Sequence, residues 1–167
     1  MDHKANLRND QSVNTRIRSA ALIVKGGRLL LINKSDHNEQ TWIPPGGGLE
    51  SQDADIFDCA RREVLEETGI ACDTNDLLYV REFLDASTDT LSLEFFITAT
   101  YVSGEINYEA ITTRDDVTIT RGVRWFTPEE VGALEVSPGI LATDFWTDIQ
   151  TDRVRYLGRT RATNPEA

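Results

Sequence analysis

Between residues 62 and 70 the chain reads Arg-Glu-Val-Leu-Glu-Glu-Thr-Gly-Ile. On a helix, Glu63, Glu66 and Glu67 stand at i, i+3 and i+4, so their side chains meet on one face. Three carboxylates held that close repel one another. A hard divalent cation, Mg²⁺ or Mn²⁺, relieves the repulsion because it prefers oxygen ligands. Upstream, Gly46-Gly47-Gly48 follows two prolines. Such a turn can offer a backbone carbonyl, from Gly46 or Gly47, to the same cation with no side chain in the way. Each piece alone is ordinary, since an acidic helix face is usually just a solvated one. Glycine turn, acidic helix and closing glycine within one short window make a site for phosphate oxygens.

These residues need elements to hold them. Asp53 and Asp55 are candidate N-caps for a helix running to about Thr68, with Ile56, Phe57, Ala60 and Val64 at core-facing spacing and Gly69 just past its end. Ahead of the glycines, Ala20–Val24 and Leu29–Ile32 flank Lys25-Gly26-Gly27 and predict a β-hairpin. Behind the helix, further strands are predicted over Leu77–Phe83, Leu91–Tyr101 and Val117–Phe126. Thr127-Pro128 opens a short helix, with Thr as cap and Pro at its first position. A final helix is predicted from Pro138 to about Thr151. Residues 1–15 read as a flexible arm, 16–157 as one domain, and 158–167 as a polar, frayed tail.

The window resembles the Nudix box: Gly, five residues, Glu, seven residues, Arg-Glu, an aliphatic residue, any residue, Glu-Glu, any residue, Gly, an aliphatic residue. Arg62-Glu63-Val64, Glu66-Glu67 and Gly69-Ile70 match every specified position of its second half. Anchored on Gly47, the first half puts Asp53 where the family has Glu, with one extra residue before Arg62. Anchored on Gly48, the spacing is restored but Ala54 falls at that Glu. Leu29–Ile32, Trp42–Gly48 and Arg124–Val131 also look like Nudix sequences. The resemblance implies an α/β fold, the Nudix α/β/α sandwich with a mixed sheet and a loop–helix–loop motif. It implies a pyrophosphohydrolase that cleaves a phosphoanhydride in a nucleoside diphosphate derivative or nucleoside triphosphate by water attack on phosphorus.

Carried over by position, Glu63, Glu66, Glu67 and the Gly47 carbonyl would be ligands of Mg²⁺ or Mn²⁺. Glu66, Glu67, Glu129 and Glu130 would be candidates for the general base, and Arg62 would hold the helix through an ion pair. Asp53 is expected to take the place of the missing Glu, because an extra residue at a helix start is absorbed in the cap. Within the helix it would turn the carboxylates by about 100°. The alternative is that Arg62 pairs with Glu50. The family's accessory signatures for ADP-ribose, dinucleoside polyphosphate and coenzyme A substrates are absent.

Composition bounds the partners. With 28 acidic against 17 basic residues the net charge is −11, which argues against extended nucleic acid. A small phosphorylated substrate remains compatible, since a cation bridges carboxylates to phosphate. No apolar run approaches the roughly 20 residues of a membrane helix, and the polar start lacks a signal-peptide core. Cys59 and Cys72 show no metal-type spacing and suit a reducing compartment, so the cytoplasm is the expected location. Monomer and homodimer are both compatible. A competing reading is a Nudix-fold module that binds or senses a nucleotide without turning it over, motivated by the irregularity at Asp53 and Ala54.

Overall fold

The structure is a computed structural model and describes residues 14–34, 41–106 and 120–162. The described part opens with β1 (Asn14–Lys25) and β2 (Arg28–Lys34), then β3 (Thr41–Ile43), β4 (Gly46–Gly48) and the helix α1 (Ile56–Thr68). The long strands β5 (Ala71–Asp85) and β6 (Thr90–Ser103) follow, then β7 (Thr120–Phe126) and α2 (Pro128–Gly132). A 3₁₀ turn (Gly139–Ala142), α3 (Phe145–Asp148) and β8 (Arg155–Ala162) complete it. The strands form one mixed sheet in the order β3-β2-β1-β6-β5-β8, with β4 added to β1 and β7 to β2. β1 runs parallel to β6 and β5 parallel to β8, while the other pairings are antiparallel.

Alternation along the strands builds two cores, one on each face of the sheet. Ala21, Ile23, Leu30, Ile32 and Ile97 pack under Ala60 and Val64 of α1. Ala20, Leu22, Leu29, Leu31 and Phe96 pack on the opposite face with Val131 of α2, Leu141 and Phe145. This is the expected sandwich, with helices on both sides of a mixed sheet. The β1–β2 turn is made by Gly26 and Gly27, both at positive φ (57° and 72°), which is why a two-glycine connection sits there. Thr127 caps α2 through a capping box with Glu130.

Two expectations are corrected. The helix predicted from Pro138 to Thr151 is instead the 3₁₀ turn followed by the single-turn α3. Its apolar residues do face the core, but the backbone leaves helical geometry at Thr143 (φ −124°, ψ −90°). The polar stretch from 158 is not a frayed tail as far as Ala162. It is strand, tied to β5 by Tyr156 and Arg159, both of which donate to Glu82. Of the arm predicted over 1–15, Asn14 and Thr15 belong to β1 and the rest lies outside the described residues, as do 117–119 of the strand predicted from Val117.

Candidate active site

The site is built around β4, three glycines at the outer edge of β1. Asp55 caps α1 by accepting from the amides of Phe57 and Asp58, and Gly69 ends it at φ 76°. This fixes the helix phase so that Glu63 and Glu67 face β4. Both are nearly buried, at 6% and 8% exposure, while Glu66 stays exposed at the rim. A Cβ on Gly47 would lie 2.3–2.5 Å from the Glu63 carboxyl atoms. The glycine is therefore required for room: the carboxylate occupies the space a side chain would fill. Glu67 accepts a hydrogen bond from the Gly46 amide at 2.8 Å.

The expected Gly47 carbonyl is not the one presented outward. Ala21 N–H donates to Pro45 O at 2.9 Å and Leu49 N–H to Ile17 O at 3.0 Å. Alternation in an antiparallel ladder makes Ser19/Gly47 the hydrogen-bonded pair between them, so the Gly47 carbonyl turns toward β1. The carbonyls of Gly46 and Gly48 turn the other way. Gly46 O accepts from Arg18 Nη2 at 2.9 Å, and Gly48 O accepts from Arg62 Nη2 at 3.1 Å.

Arg62 meets Asp53 in a two-pronged ion pair, Nε to Oδ1 at 2.7 Å and Nη2 to Oδ2 at 2.8 Å, with the Asp53 side chain only 1% exposed. Arg62 also reaches Glu63 at 2.7 Å and Glu66 at 3.4 Å, while Glu50 is a distant partner at 3.9 Å. Asp53 sits two residues before the cap, in a turn closed by its hydrogen bonds with Glu50. The extra residue is thus accommodated ahead of α1. Hydrogen bonding from Arg62 holds the Asp53 carboxyl well down, at about 2. The Glu63 carboxyl is pushed up, chiefly by burial and further by Glu67 and Glu66, against the hydrogen bond from Arg62. Cys59, under the same glycines, donates to Gly48 O at 3.4 Å, and burial raises its thiol to about 11.

Glu129 and Glu130 are not brought to this cluster. They open α2, which packs on β2, β7 and the 3₁₀ turn, with its Val131 in the core opposite α1. The Glu130 carboxylate is engaged with the Thr127 amide at 2.8 Å, and Glu129 is held down mainly by a hydrogen bond from the backbone. Glu94 belongs to β6. It is buried at 5% and accepts from Arg81 Nε at 2.8 Å and Nη2 at 2.5 Å. The Arg18 and Arg81 partnerships were missed altogether. They join residues of different strands, and only the strand register reveals them.

Whether these residues suit a divalent cation can be tested on the donors themselves. All are hard oxygens, two are carboxylates buried side by side, and Gly47 leaves a cradle for one of them. A cation would offset the burial that chiefly raises Glu63 and the repulsion from Glu67 and Glu66 that adds to it. Among the described residues no three carboxylates, thiols or imidazoles are gathered tightly enough to hold one as they stand. Glu63 is turned to Arg62 and Glu67 to the Gly46 amide, so ligation requires those side chains to exchange partners.

A family model described as the NUDIX domain matches residues 14–143. Solved structures share the fold. A NUDIX hydrolase from Nitrosomonas europaea superimposes with TM-score 0.66 at 24% identity, over 84% of this chain and 93% of that one. A MutT protein from Bacillus halodurans gives 0.66 at 23% identity, over 89% and 90%. An ADP-ribose pyrophosphatase from Streptococcus suis gives 0.59 at 15% identity, over 87% and 98%. No curated protein matches the chain.

Proposed function

The chain belongs to the NUDIX family and is a pyrophosphohydrolase, and from that premise we propose a Mg²⁺- or Mn²⁺-dependent attack of water on phosphorus. The substrate is a small nucleoside diphosphate derivative or nucleoside triphosphate, split at its phosphoanhydride. One observation carries this reading: Glu63 and Glu67 are buried side by side against the glycine strand, and the Glu63 carboxylate fills the space that a Gly47 side chain would need.

Glu63, Glu66 and Glu67 would hold the cation, with the outward Gly46 carbonyl beside Glu67 in place of Gly47. When bound, the cation would neutralise phosphate charge and acidify water. Asp53 and Arg62 keep the glycine strand and α1 in register, because Arg62 bonds to the Gly48 carbonyl and to Asp53 at once. Proton removal from the attacking water is assigned to Glu66 or Glu67, since Glu129 and Glu130 sit with the opposite core. No described helix is long and apolar enough to cross a membrane. A cytoplasmic setting, with its supply of nucleotides, suits the activity.

The test is a panel of nucleoside diphosphate derivatives and triphosphates incubated with Mg²⁺ or Mn²⁺ and then with chelator. Reaction in ¹⁸O-labelled water should place the label on a phosphate product. Turnover that persists in chelator would sink the metal assignment. Binding without turnover on every compound would leave a nucleotide-binding module instead.

A further inference from the structure

α1 covers only part of the sheet face on which it packs. The core beneath it reaches Ala21 on β1 and Ile97 on β6, and the helix begins above Ser19, whose Oγ donates to Ile56 O at 2.6 Å. Strand alternation carries the same face further, through Ile17 of β1, Leu91, Leu93 and Phe95 of β6, and Val80 and Leu84 of β5. The register sets them side by side: Ile17 lies opposite Leu93, Phe95 opposite Val80, and Leu91 opposite Leu84. None of the six belongs to either core of the described residues. Ile17 is 39% exposed and the other five are half-buried. β8 extends the patch with Tyr156, which lies opposite Val80 and is 61% exposed. The carboxylate inside the patch, Glu82, is satisfied within the chain: Tyr156 Oη donates to it at 2.8 Å and Arg159 Nε at 2.6 Å. Arg161 follows at the border, where charge costs an interface little.

Contiguous apolar surface of this kind marks an interaction site, whereas single exposed apolar residues do not. Four strands about 4.8 Å apart, each giving about five residues at about 3.4 Å, make a footprint of roughly 15 by 17 Å. An apolar sheet face is complementary to a copy of itself, because two such faces stack about 10 Å apart with their strands within about 30° of each other. A two-fold axis then makes every contact twice. Residues 1–13 precede β1 at the border of the patch, but Met1, Leu7 and Val13 are their only large apolar side chains, too few to cover it. We propose that this half of the face is where two copies of the chain associate, sheet on sheet, around a two-fold axis. The footprint sets the strength: a pair burying less than about 1,200 Å² in total is weak and concentration-dependent. The net charge of −11 on each copy opposes association, so salt, by screening that repulsion, strengthens it. The inference stands independently of the hydrolase reading.

The experiment is sedimentation equilibrium of the full chain over a range of concentrations, at low salt and again in concentrated NaCl. Wild type should dimerise with a Kd on the order of 10–100 µM, and about threefold more tightly in the concentrated salt. Leu93→Glu places two carboxylates in one apolar contact and should weaken association about a hundredfold. Ile17→Lys shifts the net charge the other way and should still weaken it about tenfold, which separates the patch from bulk charge. Val102→Glu adds the same charge as Leu93→Glu at a site outside the patch that is 53% exposed, and should associate within about a factor of two of wild type. Melting temperatures report whether each variant is folded, and Ile17→Lys, at an exposed position, decides the matter should Leu93→Glu fail to fold. Three results would overturn the proposal: a wild type that stays monomeric to about 200 µM, a dimer that survives the patch substitutions, or a dimer that loosens as salt is raised.

Discussion

On the α1 side of the glycine strand Arg62 and its carboxylates are close in sequence and partly wet; on the other side the Arg81–Glu94 pair is brought together from two strands and nearly buried. Asp53 and Arg62 are nine residues apart and meet where a turn runs into a helix. Arg81 and Glu94 are thirteen apart and meet across two strands, with both side chains under a tenth exposed. The first pair adjusts a loop against a helix. The second neutralises charge with both partners nearly buried, whereas Arg62 in the first stays 16% exposed, and a mismatch in the more buried pair costs more. The same ion-pair chemistry therefore carries different weight on the two sides, and four measurements can break or sharpen that contrast.

The largest effect is expected at the acidic side. Glu67→Gln should lower kcat about a thousandfold, equivalent to ~4 kcal/mol at 1.36 kcal/mol per decade. The melting temperature of the metal-free protein should hold or rise, since an amide still accepts from Gly46 and a repulsion with Glu63 is removed. Near-normal turnover at saturating metal would take Glu67 out of the site.

Next comes the dry side. Glu94→Leu leaves Arg81 and Arg18 without their carboxylate and should cost about 3 kcal/mol in denaturant unfolding. Replacing Arg81 as well, also by Leu, should recover part of that loss. A double variant as unstable as the sum of the two singles would mean the pair is not coupled.

Arg62→Ala should cost less stability, about 2 kcal/mol, because the site is partly solvated, but it should also reduce turnover. The variant frees Asp53 and releases the Gly48 carbonyl and Glu63 together. A change confined to KM at unchanged melting temperature would instead indicate direct substrate contact.

The smallest effect concerns acid. The Asp53 carboxyl is held at about 2 against an ordinary 3.8, so its stabilisation is fully present above the unfolded value and fades as pH falls toward 2. The gap in stability between wild type and Asp53→Asn should be about 1 kcal/mol near pH 5. It should shrink between about pH 4 and pH 2. A gap that does not change over that range would show that Asp53 acts through packing alone.

Legibility in the sequence follows the same division. The hairpin, α1 and its carboxylates rest on periodicity and caps within a few residues, and these survive translation into structure. Asp53 as the partner of Arg62 was readable because a helix start absorbs one residue. Gly47 was readable as a necessary glycine but not for the right reason: which carbonyl faces outward depends on the ladder phase with β1, a long-range property. β8 was missed because Arg155, Arg159 and Arg161 make it look solvated, and only Glu82, more than seventy residues earlier, gives it a place. The predicted last helix failed for a local reason, since Gly139 and the β-branched Thr143 weaken a segment whose apolar spacing alone looked helical.

β8 also bears on self-association. It closes one border of the sheet with a strand carrying three arginines. A second copy laid antiparallel along it would set like charges side by side, which disfavours edge-to-edge growth. Remove it, and the border becomes β5, fifteen residues long with Val80, Phe83 and Leu84 along it. A chain cut before Arg155 should therefore be lost first to aggregation, with its catalytic half still intact.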